Sequence, residues 1–210
     1  LEGSSSIVTG GASGIGEASA RQLAEAGSRV VIADLNEERG KQIAEEIGGV
    51  FVKCNVTMTD DADAAVAAAS ELGPQRACVN SAGIGTPGRT IDRSNTPLDL
   101  DKFSMVIKIN LIGTFNVLSR AAAAMAQTEP MDEDGSRGAI VNMASAAAFD
   151  GQIGQASYSA SKGGVVGMSL PIARDLSAVG VRVISIAPGL IDTPIYGEGE
   201  ASEAFKAHLG

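Results

Sequence analysis

The chain of 210 residues is long enough for one substantial core, and 44% hydrophobic with 20% charged residues is ordinary for a globular domain. With no Trp, 3% aromatic residues and a net charge of -9, it has neither a stacking surface nor a basic face for nucleic acid. No apolar run approaches the roughly 20 residues of a membrane span, and the first residues lack the basic segment and apolar core of a signal peptide.

In chain order, short β-branched runs alternate with longer Ala-rich stretches of helical pattern. The strand-like runs are residues 6–9, 29–33, 50–53, 77–80, 139–142 and 181–187, and the helical patterns cover 14–26, 37–47, 60–72, 100–127 and 157–179. The strands are continuously apolar rather than alternating, which indicates burial on both faces, as in a parallel sheet covered by helices. Strand and helix in alternation predict a single α/β domain, a doubly wound parallel sheet, with ligands in the crevice at the carboxyl ends of the strands. Gly27 and Gly48 stop the first two helices, and Thr59 or Asp60 is expected to cap the third. The polar, acidic run 129–138 reads as a surface loop rather than a metal site. Cys54 and Cys78 each end an apolar run and need no disulfide framework. Two such thiols suit a reducing compartment, so the cytoplasm is the expected location.

The first strand runs into TGGASGIG, residues 9–16, and then into a helix. The literal G-x-G-x-x-G spacing is absent, yet the physical logic survives. Glycines allow a tight turn and close approach of backbone N–H groups to a pyrophosphate, and the helix N-terminus adds a partial positive charge. Gly10, Ser13, Gly14, Ile15 and Gly16 are therefore candidate cofactor-binding residues. Asp34 ends the second strand, followed by Leu35. Its carboxylate can accept from both adenine-ribose hydroxyls and would repel a 2′-phosphate. No basic residue stands at position 13 or 35 to welcome that phosphate, so NAD is expected over NADP.

Tyr158 and Lys162 are four residues apart in a helical pattern and share a face. A tyrosine hydroxyl titrates near pH 10 unperturbed, so a neighbouring ammonium is needed to favour a phenolate base near neutrality. Ser145 follows a buried strand, which places its hydroxyl at the carboxyl edge of the sheet.

Together these residues resemble the short-chain dehydrogenase/reductase family over essentially the whole chain. The marks are TGGASGIG, Asp34, Asn55 with Val56, the NSAG of Asn80, Ser81, Ala82 and Gly83, then Asn110, Ser145, Tyr158, Lys162 and Pro188 with Gly189. The resemblance implies that Tyr158 is the general acid/base and that Lys162 supports it and holds the nicotinamide ribose. It makes Ser145 the partner of the substrate oxygen and gives Asn110 a water that completes a proton relay. It further implies that Asn55 contacts the adenine amine, that Asn80, Ser81, Ala82 and Gly83 line the adenosine side, and that Pro188, Gly189, Ile191 and Thr193 meet the carboxamide and pyrophosphate. The runs NLIGTFNV, residues 110–117, and IAPGLIDTP, residues 186–194, are typical of a branch that oxidises 3-hydroxyacyl-CoA thioesters. Gln152 and Gln155 are candidates for contacting such a thioester, or are simply turn residues.

The expected activity is thus an NAD-dependent oxidoreductase acting on 3-hydroxyacyl-CoA. The alternatives are a dehydrogenase of hydroxysteroids or other secondary alcohols, or a non-catalytic NAD-binding scaffold. The family pattern continues into a last parallel strand that this sequence lacks, and residues 191–210 should begin a substrate lid. A homodimer or homotetramer is expected through the long helices. No metal is expected, because the lone His208 has no ligand partners.

Overall fold

The computed structural model describes residues 1–193, so most of the expected lid, with His208, lies outside the described residues. Six strands form one parallel sheet: β1 (Ser5–Thr9), β2 (Arg29–Asp34), β3 (Val50–Lys53), β4 (Gln75–Asn80), β5 (Gly138–Met143) and β6 (Val181–Ile186), in the order β3-β2-β1-β4-β5-β6. The chain leaves β1 towards β2 on one side and later returns to place β4 on the other. That reversal opens a crevice above the carboxyl ends of β1 and β4, the switch point of a doubly wound sheet. The expected fold class is the observed one.

The helices are α1 (Gly14–Glu25), α2 (Glu37–Glu46), α3 (Thr59–Leu72), α4 (Leu100–Ile107), α5 (Thr114–Ala126) and α6 (Ala156–Ser177). Alternation along each strand feeds two cores. Ile7, Val31, Cys78 and Ile140 pack with Ala65 and Ala69 of α3 and Val117, Leu118 and Met125 of α5. Val8, Val30, Ile32 and Val79 meet Ala20 of α1 and Ile43 and Ala44 of α2 on the opposite face. Each large aliphatic side chain buried in this way contributes roughly 1.5–3 kcal/mol.

Two expectations about helices are corrected. The pattern over 100–127 is not one helix: a π-helical turn, Lys108–Gly113, separates α4 from α5. Its Asn110 and Gly113 are buried, and a Cβ on Gly113 would stand 2.5 Å from Val56 Cγ2, so the wide turn brings bare backbone against the residues after β3. At α3 the capping position is Met58, whose side chain makes no cap bond, and Thr59 is already the first helical residue. The stop at Gly27 holds, with φ +87.

Candidate active site

The crevice is a cleft of about 1040 Å³, lined from the β1–α1 turn at one end to residues 188–193 at the other. That is the upper end of the usual size of small-molecule sites. The β1–α1 turn closes tightly on the turn after β4. Thr9 Oγ1 accepts from the backbone N–H groups of Ser81 and Ala82, each at 3.2 Å. Gly10 sits at φ +64, and a Cβ there would lie 2.8 Å from the Ala82 backbone, so the close approach requires glycine. At the start of α1, Ser13 holds the cap position without a side-chain cap bond, which leaves the first-turn amides facing the cleft available to an anion.

Asp34 forms the wall beside this turn. Its Oδ2 accepts from Ala12 N at 3.0 Å and its Oδ1 from Asn36 N at 2.9 Å. The carboxylate therefore fixes the glycine turn as well as presenting lone pairs to the cleft, a second duty that the sequence pattern does not reveal. Asn55 is more committed than expected. Its Oδ1 accepts from both the N–H (3.1 Å) and the hydroxyl (2.9 Å) of Thr57. The amide oxygen expected to meet the adenine amine is thus already engaged, because two bonds fill its two lone pairs. Cys54, beside Asn55, also lines the cleft, and burial, reinforced by the charges of Asp61 and Asp34, pushes its thiol up to about 12. It is not a nucleophile.

At the other end, Ser145 follows β5 and starts a short 3-10 turn, its Oγ accepting from Ala147 N at 3.2 Å. Tyr158 and Lys162 lie one turn apart on α6, with the Lys162 Nζ 5.7 Å from the Tyr158 ring centroid. Lys162 is buried and donates to Met143 O at 2.7 Å. Desolvation pulls its ammonium down from 10.5 to about 8. Asn110 is wholly buried. Its Oδ1 accepts from Ile84 N (2.8 Å), while its Nδ2 donates to Ile84 O (2.9 Å) and to Ser161 Oγ (3.1 Å). Gly83 touches both groups, since a Cβ there would stand 3.2 Å from Asn110 Oδ1 and 3.6 Å from Lys162 Nζ. The π turn, the turn after β4 and the start of α6 are thereby clamped together.

Of the residues singled out in the sequence, all but Gly16, Asn80 and Asn110 line the cleft. Gly16 lies beneath the turn, where a Cβ would overlap Gly10 O. Asn80 is turned into the sheet, donating to Asn142 Oδ1 at 2.9 Å, so its part is to join β4 to β5 rather than to face the cleft. Gln155 Oε1 accepts from Gln152 N at 2.9 Å, which makes this pair a turn as well as part of the cleft wall. Ile84, Thr86, Pro87 and Asp150 also line the cleft and were missed. The only signal for them is their position just past the NSAG run and the Ser145 turn.

A family model described as short chain dehydrogenase matches residues 5–204. The 3-hydroxyacyl-CoA dehydrogenase type-2 of Drosophila melanogaster is 51% identical over 194 residues, spanning 90% of this chain and 76% of that protein. The crystal structure of 3-hydroxyacyl-CoA dehydrogenase type-2 from Mycobacterium avium superposes with a TM-score of 0.89 at 47% identity, over 92% of this chain and 77% of that one. A solved chain described as ribose-5-phosphate isomerase from Brucella melitensis 16M also superposes, with a TM-score of 0.81 at 30% identity, over 99% and 74% of the two chains. Likeness of fold alone therefore does not decide the reaction, and the site has to. The family match along nearly the whole length, the relatives and the observed strand order together establish that this chain belongs to the short-chain dehydrogenase family of NAD(P)-using oxidoreductases.

Proposed function

We propose that the chain is a single-domain NAD-dependent dehydrogenase that moves hydride between a secondary alcohol and NAD, with 3-hydroxyacyl-CoA as its substrate. The observation that carries the reading is the shared cleft: Ser145, Tyr158 and Lys162 stand in one crevice with the glycine turn and Asp34. The residues present fit a dinucleotide, with uncapped amides at α1, a glycine cradle that a Cβ would fill, and an acid at the ribose end. When bound, the nicotinamide supplies the hydride acceptor.

The chain's own residues handle the proton and the oxygen. Ser145 Oγ, backed by the 3-10 turn, holds the substrate oxygen and steadies the charge that develops on it. Tyr158 takes the hydroxyl proton as general base and returns one in the reverse direction. Lys162 holds the ribose and places a positive charge beside the Tyr158 ring, which favours the phenolate. Because the side chain of Asn110 is committed to Ile84 and Ser161, a relay water would have to use its main-chain carbonyl, sharing it with the Thr114 hydroxyl that donates there at 2.8 Å. Adenine is left to Asn55 Nδ2 and the Val56 backbone, and the pyrophosphate and carboxamide to residues 188–193. A thioester carbonyl at the mouth would meet the amide N–H₂ of Gln155, whose oxygen the turn occupies.

The substrate class rests on the relatives named 3-hydroxyacyl-CoA dehydrogenase type-2. We further propose a homodimer or homotetramer, supported by large exposed apolar side chains on α4, the π turn, α5 and α6: Leu100, Met105, Ile112, Phe115 and Leu170.

The test is NADH-dependent reduction of acetoacetyl-CoA, run beside a fluorescence titration of NADH. Tyr158→Phe is expected to lose about a hundredfold or more of turnover while binding NADH as before. A variant keeping about a tenth of the rate removes Tyr158 as the acid/base. A wild-type chain that binds NADH yet turns over neither acyl-CoA, steroid nor short alcohol is the scaffold of the alternative reading.

A further inference from the structure

One cationic side chain near the ribose end escapes the sequence pattern for cofactor choice. Arg39 lies five residues beyond Asp34, in the first turn of α2. It is joined to Asp34 by a short relay, in which Asp34 Oδ1 accepts from Asn36 N (2.9 Å) and Asn36 Oδ1 caps the helix by accepting from Arg39 N (3.1 Å). Side chains in a helix lean towards its N-terminus, so the Arg39 guanidinium is directed back towards the end of β2.

Its partner is Glu17. The Arg39 Nη2 donates to Glu17 Oε1 at 2.6 Å, and Arg21 donates to the same oxygen at 2.8 Å. Glu17 N donates to the backbone O of Ser13, the cap residue, at 3.0 Å, which sets Glu17 in the first turn of α1, one turn from the cap. Ser13 itself lines the cleft, at the position where a basic residue would meet a ribose 2′-phosphate. Burial opposes the charge on Glu17, but hydrogen bonds from Arg21 and Arg39 outweigh it and hold the carboxyl below its usual range. Glu17 is therefore an anion at neutral pH, and from the first turn of α1 it holds the Arg39 guanidinium at the rim outside the cleft lining.

We propose that the Glu17–Arg39 ion pair is a second determinant of cofactor choice, acting with Asp34: Glu17 both occupies the guanidinium that could receive a 2′-phosphate and repels that phosphate. Arg is the side chain best suited to bind phosphate in a forked geometry, so a free Arg39 at this edge would favour the phosphorylated dinucleotide. Tied to a carboxylate through Nη2, it is held in the ion pair with its charge neutralised, and is no longer free to turn its forked donors onto a phosphate. The effect is one of discrimination against the wrong ligand rather than added affinity for the right one. This rests on the reading of the cleft as a dinucleotide site.

The test titrates wild type, Glu17→Gln and the double variant Glu17→Gln/Arg39→Ala with NADH and NADPH by fluorescence. Adenosine 5′-monophosphate and adenosine 2′,5′-bisphosphate serve as probes that lack the nicotinamide, so that binding is read without turnover. Glu17→Gln keeps the shape and a hydrogen-bond acceptor while removing the charge. It is expected to tighten NADPH and the bisphosphate on the order of five- to tenfold, less so in high salt, with NADH and the monophosphate unchanged. The gain should vanish in the double variant. NADPH affinity unmoved by Glu17→Gln, or a gain that survives loss of Arg39, overturns the proposal while NADH binding leaves the cofactor reading intact. If the wild-type chain binds neither dinucleotide, the cofactor reading falls and takes the proposal with it.

Discussion

At the scale of single residues, Asp34 is the position where structural and functional duties are hardest to separate. Its two oxygens hold the N–H groups of Ala12 and Asn36, so the carboxylate shapes the glycine turn before any ribose reaches it. Asp34→Ala should lower the preference for NADH over NADPH by about tenfold or more, since a like charge no longer faces the 2′-phosphate. The same change should cost about 1–3 kcal/mol of stability for each backbone donor left without an acceptor and shielded from water. Asp34→Asn separates the two effects, because it removes the charge and keeps an acceptor oxygen. Dissociation constants for the two dinucleotides, read beside urea melts of both variants, check this. A cofactor ratio unchanged in Asp34→Ala would mean that the ribose is read elsewhere.

At the scale of elements, what was legible depended on periodicity. The six strand runs stand out because they are short and rich in β-branched residues, and their ends match the structure to within a few residues. Burial on both faces holds for the inner strands, whereas β3 and β6 at the sheet edges leave positions exposed. Asp34 and the glycine turn were legible because a strand before and a helix after constrain where a Gly-rich loop can lie. The helical pattern over 100–127 hid the π turn. One extra residue in a turn shifts the apolar stripe only slightly, and the flanking helices keep their faces on the core. The misfit was visible in the residue types, with an Asn and a Gly both buried in the middle of a helical stretch. Asn80 illustrates the converse. Its family position suggests the cleft, but strand alternation from Cys78 puts its side chain in the sheet, where it accepts the Cys78 S–H and donates to Asn142. Arg39 was missed because its contact with Glu17 joins two helices 22 residues apart in sequence, which no local spacing encodes.

At the scale of the whole molecule, two surfaces stand out. The cleft belongs to small molecules, and the exposed apolar side chains of α4, the π turn, α5 and α6 are the ones on which the proposed association with a second copy of the chain rests. Light scattering is expected to show a mass of at least two chains, and a monomer at working concentration would remove the oligomer from the proposed function. The last consequence joins Lys162 to the stability of the fold. Its ammonium is buried and its pKa falls to about 8, against 10.5 for an ordinary lysine. Between those values the unfolded chain holds a proton at this site that the folded chain has released, so stability rises with pH across that window. Below about pH 8 both states are protonated, and the folded chain bears the full cost of a buried charge. Lys162→Met has no such proton to lose. Groups remote from Lys162 act on both chains alike, and placing Tyr158→Phe in both backgrounds removes the neighbouring hydroxyl that Lys162 influences. The difference in unfolding free energy between the chains with Lys162 and with Met then isolates this site. That difference should be constant below about pH 8 and then move in favour of the chain with Lys162 as pH climbs towards about 10. A difference that stays flat across the whole range would mean that Lys162 keeps its proton in the folded chain, held by the Met143 carbonyl more firmly than burial disfavours it.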